Sequence, residues 1–294
     1  MNNVRRFPLI LSNFWLKVIA LLTMTIDHIG FLLPYGPVAI CFRYIGRLAL
    51  PLFCFMIAEG AIHTKNFNKY AFRLGLMASL ISIAIIGSEV IPYFKNNGFS
   101  MRDEGNIFLD LLLGALAIYL LKQNKWYIKL LAILPLLFGI ASFTATALES
   151  CGCHGHILWF PFFLRTQYGW FAILLIVGFY FSHYLSNVFL KYHSSLSGIS
   201  IDLYKGSNLE RHALNIISTI ALGFISIIYY IVGRMMPVQY VFWDLTMQLL
   251  AILSGAFILL YNGYRGYNKK WFQYGSYLYY PIHMAILYLI FSLI

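Results

Sequence analysis

The feature that most constrains this chain is a succession of apolar runs, each about twenty residues long, that carry almost no charge. About 20 such residues are what a helix needs to cross a ~30 Å hydrocarbon core. Charged residues make up 11% of the 294, against about a quarter in a soluble domain, too few to coat a water-facing surface. Lipid offers a peptide group no hydrogen-bond partner, so a spanning segment must satisfy its own backbone, as a helix or within a closed barrel. The runs here are continuous rather than alternating, which selects helices.

The spans fall at roughly 15–34, 44–62, 71–92, 106–121, 127–147, 168–189, 212–233, 240–261 and 275–293. The expected fold class is all-α: a polytopic transmembrane helical bundle of about nine spans, built as a single domain over 1–294. Residues 157–164 are apolar but too short to cross, and read as a re-entrant or interfacial piece. The first span follows Arg5 and Arg6 as a signal peptide would. It holds Asp27 and His28, and no small-x-small cleavage site follows, so it reads as retained.

A net charge of +11 raises nucleic acid as a partner, but the basic residues sit in short loops between apolar runs, where they set topology instead. Of the 21 Lys and Arg, fifteen lie on one side (Arg5, Arg6, Lys17, Lys65, Lys69, Arg73, Lys122, Lys125, Lys129, Lys191, Lys205, Arg211, Arg265, Lys269, Lys270). Six lie on the other (Arg43, Arg47, Lys95, Arg102, Arg165, Arg234). The positive-inside rule puts the first side, and the N-terminus, in the cytoplasm. Nine spans then put the C-terminus outside.

Ionisable groups at membrane depth are costly and usually face the bundle interior. Asp27 lies about 18 Å along the first span at 1.5 Å per residue, so Asp27 and His28 sit just past the midplane. Arg43 and Arg47 open the second span near the outer face, and Asn106 and Asp110 lie in the outer half of the fourth. These six form one expected polar layer. Glu59 and His63, four apart on one helix face, Arg73 and the mid-span His283 form a second, toward the cytoplasm. Asp27 with Arg47, and Glu59 with His63, also read as structural pairs. Neighbours on a helix point about 100° apart, so Asp27 is expected to pair with Arg43 or Arg47 rather than to orient His28.

The segment Cys151-Gly152-Cys153-His154-Gly155-His156 has soft and borderline ligands, but its spacing is tighter than that of zinc sites. It reads as an outer loop, with a disulfide from Cys41 to Cys151 or Cys153 as one arrangement, and no metal is expected. Cys54 reads as a small core hydrophobe.

Several short pieces carry a family resemblance: Asp27-His28-Ile29-Gly30; Arg43-Tyr44-Ile45-Gly46-Arg47-Leu48-Ala49 with Pro51 and Phe53; Glu59-Gly60, His63-Thr64, Asn66, Tyr70 and Arg73-Leu74; Asn106 with Leu112-Leu113-Gly114; Tyr168-Gly169; and Tyr280-Pro281-Ile282-His283. In this order and spacing the chain resembles the TraX family, named for the enzyme that acetylates the N-terminus of F pilin. The N-terminal third matches well, the middle loosely, and 190–270 hardly at all. Two positions depart from the family pattern. Gln167 stands where an acidic residue often precedes Tyr-Gly, and Asp110 where a neutral one is expected.

The resemblance implies an integral, multi-pass membrane acetyltransferase of the plasma membrane. It would move an acetyl group from cytoplasmic acetyl-CoA to an acceptor at the outer side by O- or N-acetylation. The acceptor is a peptide, a glycan or a lipid. Such a transfer needs a base and a donor for the developing oxyanion. His28 is the candidate base, with Arg47 or Asn106 as the donor to the oxyanion and Asp27 and Arg47 organising the surroundings of His28. Glu59, His63 and His283 are expected to line the donor tunnel, with Lys65, Lys69, Arg73 and Lys122 at its phosphate-facing rim. The rival readings are a transporter or channel for a small ion or metabolite, and a non-catalytic assembly protein. Against a transporter, the sequence has neither inverted repeats nor paired Gly/Pro-broken spans.

Overall fold

The computed structural model describes residues 8–92, 100–102, 105–150, 157, 159–198, 200–235 and 245–293. Among these the chain is all-helical. In order, α1 is Asn13–Leu32, α2 Pro37–Gly46, α3 Ala49–His63, α4 Phe67–Val90, α5 Ile107–Leu121, α6 Trp126–Leu130 and α7 Ile133–Ser150. There follow α8 Trp170–Ser197, α9 Asn208–Met235, α10 Leu245–Leu249, α11 Gly255–Leu259 and α12 Lys270–Leu293.

Local chemistry sets several of these ends. Pro34 stops α1, and Pro37 opens α2 at a position where its missing N–H costs nothing. The side chain of Asn66 accepts from the Lys69 N–H at the start of α4, and that of Asn106 accepts from the Leu109 N–H at the start of α5. Both are N-caps that satisfy otherwise orphaned donors.

Six helices among the described residues are long and apolar enough to cross a membrane: Asn13–Leu32, Pro37–His63 (α2 with α3), Phe67–Val90, Trp126–Glu149 (α6 and most of α7), Trp170–Ser197 and Asn208–Met235. Three of the nine expected spans fall short of that standard among the described residues. Helix α5 has 15 residues, about 22 Å. Of the segment read at 240–261, the described part holds one short apolar helix, Met247–Leu259, with a 3₁₀ stretch at Leu250–Ser254. Helix α12 is 24 residues long, but Lys270, Gln273, Pro281 and its tyrosines dilute its apolar character.

The chain divides into two compact units. The first comprises Met1–Met56, Gly178–Ile227 and Met247–Ile294, the second Ile57–Val177 and Ile228–Thr246. In the first, α1 packs on α2 and on α12. The crossing of α1 and α2 relies on two glycines. A Cβ at Gly30 would lie 2.7 Å from Phe42 Cβ, and one at Gly46 only 2.1 Å from Asp27 Cβ. Small residues let helix backbones approach closely in a membrane, where packing rather than hydrophobicity drives association. Helices α1 and α12 run in the same direction: Lys17 Nζ reaches Ser276 Oγ at 3.4 Å, Thr25 meets Tyr279 at 2.6 Å and His28 meets His283 at 2.7 Å. In the second unit α4 packs on α5, and α5 on α7. Cys54 is fully buried, as a small core hydrophobe would be.

Candidate active site

Asp27 and His28 are consecutive and buried, yet they serve different neighbours because successive helical side chains diverge by about 100°. Asp27 faces α2. Its Oδ2 accepts from Arg43 Nη1 at 3.0 Å and its Oδ1 from Arg47 Nη2 at 3.3 Å. The sequence left open which arginine it takes; it takes both. Arg47 also donates from Nε to the Arg43 carbonyl, 3.2 Å, and from Nη1 to Gln248 Oε1, 3.4 Å. One carboxylate is thus shared by two guanidinium groups.

His28 faces α12. Its Nδ1 lies 2.7 Å from Nε2 of His283, and Nδ1 of His283 lies 2.7 Å from the Tyr279 carbonyl oxygen. This chain fixes the tautomers of the two neutral rings. The carbonyl can only accept, so His283 carries its proton on Nδ1 and accepts at Nε2. His28 must then donate from Nδ1. Its Nε2 is left with a lone pair, the form a proton acceptor requires.

The aromatic surroundings hold the pair in place. Tyr279 stacks on His283 at 4.9 Å, and Tyr280 meets His28 edge-on at 5.9 Å. Thr25 donates to the Leu21 carbonyl at 2.9 Å, so in the 2.6 Å contact with Tyr279 the tyrosine hydroxyl is the donor.

The other expected site residues belong to the second unit. Asn106 is fully buried and donates from Nδ2 to the Ala78 carbonyl at 2.7 Å and to Ser82 Oγ at 3.0 Å, in addition to capping α5. Asp110 accepts at Oδ2 from the Gln167 and Tyr168 backbone N–H groups, at 2.8 and 3.3 Å. The two departures from the family pattern thus touch each other. Glu59 is buried, and His63 meets its backbone carbonyl, 2.9 Å from Nδ1. Lys65 and Lys69 are exposed and Arg73 is half-buried.

Sequence reasoning missed the contact between His28 and His283, having placed His283 along the donor tunnel. The available signal was depth, since both histidines count to mid-span. Gln248 had no such signal. The segment Cys151–His156 lies outside the described residues. Among the described residues no three His, Cys, Asp or Glu side chains come together as metal ligands would.

Comparison with known proteins adds the lineage. A family profile described as "TraX protein" matches residues 12–254, which takes in Asp27, His28, Arg43, Arg47 and Gln248 and stops before His283. The chain is 37% identical over 117 residues to a probable fimbrial assembly protein, FimC of serogroup H1, from Dichelobacter nodosus, covering 36% of this chain and 45% of that protein. It is 33% identical over 95 residues to an uncharacterized protein of Rickettsia prowazekii (strain Madrid E), covering 28% of this chain and 37% of the relative. The chain thus spans less than half the length of each of these relatives. No solved structure matches it. By the extent of the profile match, the chain belongs to the TraX family.

Proposed function

We propose that this protein is a membrane-bound, acyl-CoA-dependent acetyltransferase. It takes the acetyl group of cytoplasmic acetyl-CoA to an amine or hydroxyl presented at the outer side of the plasma membrane. The observation that carries this reading is the chain of hydrogen bonds from the Tyr279 carbonyl through His283 to His28, which leaves a buried imidazole nitrogen ready to take a proton.

In the proposed step the acceptor nitrogen or oxygen attacks the thioester carbon while Nε2 of His28 removes its proton. The C–S bond breaks, the thiolate of CoA leaves, and the proton returns from His28 to the sulfur. His283 is a positioning residue that holds the tautomer and ring plane of His28. The guanidinium groups of Arg43 and Arg47, held by Asp27 one residue away on α1, are the donors proposed to favour a developing oxyanion. Lys65, Lys69 and Arg73 are the proposed partners of the donor's phosphates, with Glu59 and His63 nearby in sequence. Asn106 has its amide protons committed to Ala78 and Ser82, so it is a helix cap rather than a free donor for an oxyanion. The name of the Dichelobacter nodosus relative favours a pilus-subunit-like peptide as acceptor over a glycan or lipid.

The nine-span arrangement, with a cytoplasmic N-terminus and an outer C-terminus, is part of the same proposal. It draws support from the parallel run of α1 and α12, because two helices that cross in the same direction are separated by an odd number of crossings.

The test is acetyl transfer by detergent-purified protein, read alongside the melting shift with acetyl-CoA. Donor at about 100 times its dissociation constant should stabilise the fold by roughly 2.7 kcal/mol. His28→Ala should keep that shift and lose turnover by about 10²–10⁴-fold. Near-normal turnover in His28→Ala would place the base elsewhere.

A further inference from the structure

The second unit holds a buried cation with an unused hydrogen-bonding edge. Arg165, between α7 and α8, is 2% exposed. Its Nη1 donates to Glu149 Oε2 at 2.7 Å. Glu149 is in turn fixed by the Ile157 N–H, 2.6 Å from Oε1, and is shared with Arg102, 3.5 Å from Oε2. A single carboxylate therefore faces two guanidinium groups. The other edge of Arg165, Nε with Nη2, is shielded from solvent and has no hydrogen-bond partner among the described residues. Leaving a buried charged donor in that condition is unfavourable.

Arg165 lines a cavity of about 110 Å³ together with Arg102, Thr146, Thr166, Gln167 and Tyr229. Nε and Nη2 of an arginine present two parallel N–H bonds in one plane, and the group that matches them is a carboxylate, bound bidentately. The space is right for such a group with a carbon or two attached, since a cavity of about 150 Å³ accommodates benzene. The ring of Tyr229 and that of Phe143, also in the lining, give the carbon end an apolar wall. The hydroxyls of Thr146 and Thr166 donate to Ser142, at 3.1 and 2.9 Å, which holds both side chains in the cavity wall.

We propose that this cavity is a carboxylate-binding site in which Nε and Nη2 of Arg165 hold the ligand's two oxygens. The ligand is either a free short-chain carboxylate or the terminal carboxylate of a peptide. The site does not depend on acyl transfer or on His28, so its test is a binding measurement that leaves the enzymatic reading untouched.

Purified full-length protein is titrated with sodium acetate by calorimetry, and its melting is followed in acetate against chloride at equal ionic strength. Saturable heat and a melting point raised in acetate alone are expected. A tripeptide with a free C-terminus that reproduces the rise, while its C-terminal amide does not, identifies a chain end as the ligand; response to acetate alone identifies the free acid. Arg165→Lys keeps the charge but removes the fork and should abolish the response. Thr146→Met leaves the Arg165–Glu149 pair in place and fills the cavity, so it should melt normally in chloride and gain nothing from acetate. Equal melting of the unaltered protein in the two salts with no saturable heat, or an undiminished response in Thr146→Met, would overturn the site.

Discussion

Nδ1 of His28 donates to Nε2 of His283 across 2.7 Å, joining α1 to α12 through two imidazole rings. If His283 acts by orienting His28, its loss should be partial where the loss of His28 is near complete. His283→Ala is expected to lower acetyl transfer by about 10–100-fold, less than the base itself contributes. The double variant should be no slower than His28→Ala, because residues acting as a unit are not additive. Steady-state rates of the three variants decide it, and full additivity would separate the two histidines.

Asp27 should behave as a structural residue as well. Asp27→Asn removes the charge that compensates Arg43 and Arg47. Breaking a buried ion pair from one side costs about 3–5 kcal/mol. The expected outcome is a clear fall in melting temperature and in monodisperse yield. His28→Ala, one residue along, should melt close to the unaltered protein.

Gly46→Ala tests the α1–α2 crossing. The added methyl would meet Asp27 Cβ at 2.1 Å, and Asp27 cannot retreat without releasing both arginines. Overpacking of this kind costs about 1–3 kcal/mol, read as a fall in melting temperature. Gly75→Ala, on α4 with its nearest neighbour 3.9 Å away at Leu112, is the control and should be nearly silent.

Asp110 separates a hydrogen-bonding role from a charged one. Asp110→Ala strips the acceptor from the Gln167 and Tyr168 N–H groups and should cost about 1–3 kcal/mol. Asp110→Asn keeps a carbonyl oxygen there and should recover most of that stability in the same melting assay.

Orientation can be read directly. A reporter fused after Ile294 should be active only on the outer side of the membrane, and activity inside would overturn the nine-span proposal.

Much of the fold was legible because lipid imposes a severe rule, that apolar runs must be helices. The pairing of Asp27 with arginines from α2 was also legible, since few charges exist at that depth to choose from. What the sequence could not supply was contact at long range. His28 and His283 are 255 positions apart, and nothing in either segment names the other. Nor does hydropathy tell a full span from the 15-residue α5. The caps at Asn66 and Asn106 were visible as family motif residues, but their backbone role emerges only from geometry.

The union of α1 with α12 also has a consequence in time. Helix α1 is completed by a helix made some 255 positions later. At a synthesis rate of about 5–20 residues per second, His28 waits on the order of 13–50 seconds for His283 to exist. Through that interval Lys17, Thr25 and His28 all lack the partners that α12 brings. The His28–His283 pair on which the proposed function rests therefore forms only after residues 270–293 have been made. A ribosome that stalls before α12 would release a membrane protein with an exposed polar seam on its first helix, a mark that membrane quality control could recognise.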